Sequence, residues 1–470
     1  MESVGVSSRL CFILCVFFSA YFFAGVRSSS AELQILNAER RVDLSSHIIR
    51  VSLTLKVENI GTTPASELLL AFPPKQVDHL AWIQAAAVTG KRKKKTFLPL
   101  DVKPSTGPDG PNGTKHYSVT LVNKLGSGES VTLEVLYVLT HSLEPFPVEI
   151  SQAESQLVYY HDSALVLSPY PIKSQETSFR TPTSRVESFT RLEPTDRSGT
   201  ELKYGPYEDR PSYSFNPILL HFENNNPFAV VEELVREIEI SHWGNLQVTE
   251  HYKLAHAGAR QKGGFSRVDY QSRQHFGSSA SFKHLLAELP LRVHSVYYRD
   301  DIGNISSSRL LIGSKKSELL IEPRYPLFGG WKATFVIGYG VPIQDFLFES
   351  ADGARYLNYS FGCPFAETVV DKLTIKVVLP EGSEDPSVVV PFDVQQSLEK
   401  KHSYLDVVGR TVVVLEKRNV VPDHNTPFQV HYKFNPIFML AEPLMLVSAF
   451  FFVFLATTVY LHMDLAIRKS

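Results

Sequence analysis

Six long runs in this chain alternate apolar and polar residues at a period of two, and no other feature limits its fold so tightly. They read HIIRVSLTLKVENIG (47–61), ESVTLEVLYVL (129–139), KATFVIGYGV (332–341), LTIKVVLP (373–380), RTVVVLEKRNVV (410–421) and PFQVHYKF (427–434). Val, Ile, Leu, Thr and Tyr at that period suit sheets with one buried face, and Gly, Pro, Asn or Asp mark the turns between them. The expected class is therefore mainly β. Helical signals are scarcer: FAVVEELVREI at 228–238 and FKHLLAEL at 282–289. So long a β-rich stretch exceeds a usual domain, which predicts two sandwich-like units, at 29–224 and 227–435. The break falls at HFENNNPF (221–228), where three Asn precede a Pro. Each half also has a Gly-led strand, from Gly128 or Gly330, that ends in Tyr137 or Tyr339 before a Pro-containing loop. Two diverged copies of one module would leave this echo, and so would chance in a chain rich in strands.

The two ends place the chain at a membrane. Residues 10–24, LCFILCVFFSAYFFA, follow Arg9 and precede small residues, the pattern of a secretory leader. Val26 and Ser28 suit the specificity positions, so the leader is expected to be 1–28. From Leu444 to Leu461 there are 18 residues without a charge. As a helix they cover roughly 27 Å, close to the hydrocarbon thickness of a bilayer. A span at 443–461 and a cytosolic tail at 462–470, bearing Arg468 and Lys469, make a single-pass type I protein with its bulk in the lumen of the endoplasmic reticulum. Glu442 and Pro443 then mark the membrane entry, with Pro443 in the first helical turn and Glu442 at the lumenal mouth. Cys11 and Cys15 leave with the leader, and Cys363 alone forms no internal disulfide. Core packing must hold the body together. With 47 basic and 49 acidic residues the formal charge is −2, which implies no general affinity for polyanions and no nucleic acid partner.

Candidate chemistry concentrates in SHWGNLQVTEHYKLAHAGARQKGGFSRVDY (241–270). His251 and His256 lie five apart and fit no helical zinc pair, and GARQKGG lacks the Gly-Lys-Ser/Thr order of a phosphate loop. The stretch reads instead as an exposed strand and loop, with Gly258, Gly263 and Gly264 at turns. Trp243, Phe265 and Arg267 are its candidate contact residues. The basic run KRKKK (91–95) reads as a solvated loop or a contact for an acidic partner, and 102–116 as a flexible loop by composition. No catalytic, cofactor-binding or metal residue is assigned. Three sequons stand at Asn112, Asn304 and Asn358, and Asn304, after Gly303 and among serines, is ranked first for a glycan and Asn358 last.

Several segments in order along the chain resemble one family, ribophorin I. They are SPYPIKSQ (168–175), RVESFTRL (185–192), SHWGNLQVTE (241–250), KGGFSRVDYQ (262–271), VYYRDDIGNIS (296–306), YPLFGGWKATFVIGY (325–339), YLDVVGR (404–410) and FMLAEPL (438–444). Members in animals continue into a long cytosolic domain, beyond where this sequence stops. The resemblance implies a non-catalytic subunit of the oligosaccharyltransferase of the endoplasmic reticulum. That complex moves Glc3Man9GlcNAc2 from dolichol diphosphate to Asn of Asn-X-Ser/Thr in nascent polypeptides. It further implies, as partners, a polytopic catalytic subunit and the other subunits, nascent polypeptides, the protein-conducting translocon and membrane lipids, with no cofactor. The residues alone leave open a free-standing lumenal chaperone or cargo receptor, or a membrane-tethered hydrolase.

Overall fold

The computed structural model describes residues 32–463 except 91–95, 108–109, 112, 242–243, 273–279, 315, 352, 404–405 and 407. The leader, the KRKKK run, Asn112, Trp243 and the tail beyond Met463 therefore lie outside the described residues. Alternation along the rest produces thirty-three strands. The first sixteen are β1 (Leu33–Asp43), β2 (Ile49–Asn59), β3 (Ala65–Phe72), β4 (Leu80–Thr89), β5 (Thr96–Leu100), β6 (Val102–Ser105), β7 (Lys115–Leu125), β8 (Ser130–Leu139), β9 (Leu143–Pro145), β10 (Glu149–Ile150), β11 (Leu157–Ser163), β12 (Ile172–Arg180), β13 (Val186–Phe189), β14 (Thr195–Ser198), β15 (Glu201–Arg210) and β16 (Pro217–Glu223). The rest begin just past the three asparagines. They are β17 (Ala229–Ile240), β18 (Asn245–His256), β19 (Arg260–Gln261), β20 (Ser281–Phe282), β21 (Leu285–Leu289), β22 (His294–Asp300), β23 (Arg309–Ile312), β24 (Ser317–Ile321), β25 (Leu327–Phe328), β26 (Lys332–Pro342), β27 (Leu347–Glu349), β28 (Arg355–Ser360), β29 (Thr368–Val378), β30 (Ser383–Val389), β31 (Gln395–Lys401), β32 (Arg410–Val420) and β33 (Pro427–Phe434). Helices α1 (Pro74–His79) and α2 (Arg267–Ser272) are single short turns, and α3 (Ala441–His462) ends the described chain.

The two halves share one strand plan. The large sheets run β14-β15-β12-β1-β2-β8-β4-β5 and β31-β32-β29-β17-β18-β26-β22, the same order apart from the edge strand β5. Each contains one parallel pair, β1 with β12 and β17 with β29. The smaller sheets match too: β13-β16-β11-β9 against β30-β33-β28-β27, and β3-β7-β6 against β21-β24-β23. The register agrees to the residue. A bulge interrupts β1 between Ile35 and Asn37, and β17 between Val231 and Glu233. Five residues after Ile35 comes Arg40, and five after Val231 comes Arg236. Tyr137 pairs with Val51 and Tyr339 with Val248, in each half two residues from the partner of the arginine. The echo at Tyr137 and Tyr339 thus marks equivalent lattice points. One apolar core gathers residues from Leu33 to Phe228 and another those from Ala229 to Tyr432.

Each core holds its arginine almost sealed from water. Arg236 donates through Nε to Glu250 at 2.7 Å and through its other nitrogens to the carbonyls of Ser360, Phe361 and Gly362. Tyr252 and Tyr339 donate to the same carboxylate at 2.5 and 3.2 Å, and Tyr339 meets the Tyr359 hydroxyl at 3.0 Å. In the first half Arg40 lies 3.4 Å from Asp162 and donates to the Ser163 carbonyl. Asp162 also accepts from Tyr160 and from Gln76. A guanidinium does not shed its proton, so in a core it must find these partners.

Three local expectations are corrected. Residues 228–238 form β17 rather than a helix. Val231, Leu234, Val235 and Ile238 fall at helical spacing, but the bulge after Val231 supplies the extra residue, and beyond it Leu234, Arg236, Ile238 and Ile240 alternate inward. An arginine at an inward position hid the period of two. Residues 282–289 likewise form β20 and β21, with Leu285, Ala287 and Leu289 buried and Leu286 turned out. The loop expected at 102–116 is shorter, because Val102–Ser105 adds β6 to β7.

Breaking a buried ion pair from one side costs about 3–5 kcal/mol, more than deleting both partners. Arg236→Met should lower the thermal midpoint of the full chain in detergent by that equivalent. Arg236→Met with Glu250→Leu should recover part of it, and a double variant less stable than the single would contradict the assignment.

Candidate functional site: the 257–272 loop and the seam

The loop after β18 is held from both sides. Toward the first half, β19 pairs in parallel with β10, and the amides of Arg260 and Lys262 donate to Val148 and Ile150 at 2.8 Å each. Gln156 accepts from the Ala259 amide at 2.8 Å, and Gln152 exchanges two hydrogen bonds with the backbone of Ser266. Toward the second half, Gln261 donates to Gly329 and Gly330 to His256. Two glycines make this close approach feasible. A Cβ on Gly258 would lie 2.1 Å from Gln156 Oε1, and one on Gly329 only 1.7 Å from the Ala259 carbonyl.

On this clamp sits an aromatic cluster. The Phe265 ring lies 5.8 Å from Tyr270, 5.7 Å from Phe328 and 6.1 Å from Trp331, and Trp331 meets Tyr325 at 5.9 Å. The Lys283 ammonium stands 5.9 Å over Tyr270. Phe265 is half-buried, whereas Arg267 and Val268 on α2 and Tyr325 are exposed. Of the three contact residues expected from sequence, Phe265 and Arg267 thus share one surface. Gln152 and Gln156 were missed, since an isolated Gln in a turn-rich segment carries no periodic signal.

Beyond the loop, the halves meet in a mixed seam. Ile48, Val138, Val230, Val369 and Val421 form a small apolar cluster against Ala81 and Trp82. Around it Arg50 pairs with Glu367 at 3.2 Å, His141 with Asp371 at 2.8 Å, and Thr140 donates to Asn419 at 2.7 Å. His47 stacks on Phe228 and bonds the Ala229 carbonyl. His424 lies edge-on to Trp82 and Phe392. Burial holds the pKa of His47 and His256 down to about 4 and that of His424 to about 3.

The remaining expected positions lie apart. Asn304 is exposed and itself forms an isolated β-bridge with Arg299. Asn358 is on the inner strand β28, half-buried, with its Oδ1 shut away from solvent. Glu442 and Pro443 are the second and third residues of α3, whose segment Pro443–His462 is long and apolar enough to cross a membrane. Cys363 is buried, and burial pushes its thiol up to about 12. His251 is exposed and His256 buried on β18. Among the described residues no three His, Cys, Asp or Glu side chains are gathered to hold a metal ion.

The fold and the site define a β-rich protein built twice on one plan and followed by a single apolar helix. The model of the family described as Ribophorin I matches residues 33–461, and the chain belongs to that family. It is 67% identical to dolichyl-diphosphooligosaccharide--protein glycosyltransferase subunit 1B of Arabidopsis thaliana, over 97% of this chain and 99% of that protein. Subunit 1A of the same plant is 52% identical over 94% of this chain and 72% of its own length. Subunit 1 of Caenorhabditis elegans is 37% identical over 92% and 73% respectively.

Two expectations follow from this geometry. The unfolded chain protonates its histidines near pH 6.5, while folded His47 and His256 resist until about 4 and folded His424 until about 3. Stability present above pH 6.5 should therefore fall toward pH 4, by up to about 1.4 kcal/mol per pH unit for each histidine. Thermal midpoints across that window should show a shallower slope for His47→Phe than for the parent; an equal slope would reject the assignment. A glycan should sit on exposed Asn304 and none on Asn358, half-buried on an inner strand. Intact mass with and without endoglycosidase, on Asn304→Gln and Asn358→Gln chains, reads this directly, and a shift only in the second chain would contradict it.

Proposed function

We propose that this chain is an accessory, non-catalytic subunit of the oligosaccharyltransferase of the endoplasmic reticulum membrane. The observation that carries the reading is the 67% identity, over nearly the full length of both chains, to a protein named as a subunit of that glycosyltransferase. In this reading 1–28 is removed, and 29–224 and 227–435 are two lumenal domains. Residues 443–461 cross the bilayer once and 462–470 face the cytosol.

Transfer to a carboxamide nitrogen requires activation of a weak nucleophile and stabilisation of a diphosphate leaving group, work suited to a metal with acidic ligands beside a lipid-binding cavity. A single apolar helix builds no such cavity, so the reading gives catalysis to a polytopic partner. The body then serves as a scaffold. The clamped loop at 257–272, with Phe265 and Arg267 at its surface, is the face assigned to a neighbouring subunit or the emerging polypeptide. Held there, an acceptor segment gains effective concentration at the catalytic centre. The translocon and the surrounding lipids complete the proposed partners.

Purification in mild detergent should return this chain with a stoichiometric polytopic glycosyltransferase. The isolated chain, given lipid-linked oligosaccharide and an acceptor peptide, should form no glycopeptide. Turnover by the chain alone would overturn the non-catalytic reading, and a monomer from every membrane extract would favour a free-standing chaperone.

A further inference from the structure

The sheet registers carry one consequence for where the body sits, and it rests on the reading that α3 crosses the bilayer. Only six residues separate β33 from α3, and five of them, Pro436–Leu440, are a tight helical turn. At about 2.0 Å per residue that turn spans roughly 10 Å, and Asn435 adds at most about 3.6 Å. Ala441 therefore lies within roughly 14 Å of Phe434, and about 3 Å more of helix reaches Pro443, so Phe434 stands within roughly 17 Å of the hydrocarbon, above a headgroup layer some 5–8 Å deep. The turn is also docked on the body. A Cβ on Gly382 would lie 2.2 Å from the Phe438 ring, so ring and backbone are in direct contact.

The strands show which loops share that end. Phe434 pairs with Ser383, and Tyr432 with Arg355, so residues 353–354 and 380–383 lie beside the anchor. β29 runs to the same end, and with it the C-terminus of parallel β17 and residues 408–409 just before β32. β18 begins there, β26 ends there, and β22 starts there opposite Gly340. The four residues between β21 and β22 lie at the same end, and so does Ile312, which pairs with Ser317, the partner of Leu289. The opposite ends of these strands, at Ala229, His256 and Thr368, face the seam with the first half.

The membrane-near end is studded with exposed large apolar residues: Leu291 (43% exposed), Ile312 (68%), Phe348 (40%), Val408 (47%) and Ile437 (66%). Several of the described cations beside them are held in ion pairs. Lys316 meets Glu288 and Glu318 at 2.7 Å each, and Arg292 and Lys401 meet Asp345 and Glu237. Apolar tips at the height of the headgroups, backed by neutralised charge, suit partition into the bilayer interface rather than attraction to anionic lipid.

We propose that the second half rests on the lumenal leaflet, with Leu291, Ile312 and Val408 dipped into the headgroup region. The contact fixes the body's height and tilt above the bilayer instead of leaving it to swing on α3. It holds on zwitterionic lipid as well as on anionic lipid.

The test uses the full mature chain in phosphatidylcholine liposomes, with and without phosphatidylserine. Carbonate extraction comes first: loss of the chain from the vesicles removes the membrane-spanning reading and this proposal with it. Retained chains carrying Ile312→Cys, Val408→Cys or Leu291→Cys are labelled with an environment-sensitive fluorophore, the buried Cys363 being unreactive. Ile302→Cys and Val122→Cys, exposed but away from this end, are the controls. Lipids with a nitroxide on the headgroup should quench the first three labels and spare the controls, equally in both lipid mixtures. No quenching, or equal quenching of the controls, overturns the proposal. So does an apolar environment without lipid quenching that appears only in the assembled complex, which would assign the surface to a neighbouring subunit.

Discussion

Each half of this protein is organised around an arginine that has no route to water. An unpaired guanidinium in an apolar core is costly, and neither Arg40 nor Arg236 can escape by losing its proton. The strand that carries it must therefore face one particular row of acceptors. For Arg236 these are Glu250 on the adjacent strand and the carbonyls of 360–362 at the end of β28, in the second layer. A slip of the two layers by one residue would break all of these bonds at once. The arginine thereby adds a polar constraint on register to the one that the buried apolar face already sets.

The two halves solve the same problem with different acids. In the first, the counter-charge is Asp162 at the end of β11, while the position across the strand pair from Arg40 is Leu53. In the second, the position across from Arg236 is itself the acid, Glu250, and β28 contributes Tyr359 to the network. The tyrosine from the neighbouring strand, Tyr137 or Tyr339, occupies the same place in both. The lattice is kept and the carboxylate moves from the smaller sheet to the larger one.

That chemistry also explains what could be read from the sequence. Strands such as β2 and β33 bury one strict face, so alternation revealed them. β17 is as central as any strand, yet its bulge at Glu232 and its inward Arg236 erased the period, and it looked helical. The echo at Tyr137 and Tyr339 was visible as residues, but only the pairings with Val51 and Val248 give it meaning. The candidate surface was half legible. Gly, Phe and Arg marked 257–272 as an unusual loop, but its hold on the first half comes from Gln152 and Gln156, more than a hundred residues away in sequence. The seam was invisible for the same reason: Arg50 with Glu367 and Thr140 with Asn419 join residues that no local pattern connects.

The body is built of two halves, each pinned by its own arginine, joined by a seam and followed by one apolar helix. The claim at its centre is that each arginine locks the layers of its own half. Hydrogen–deuterium exchange of the parent and of Arg236→Met, resolved to peptides, tests it most directly. Protection should be lost in β17, β18, β28 and residues 360–363 together, while β1, β2 and β8 keep theirs. Loss confined to β17, or spread equally through both halves, would contradict the account.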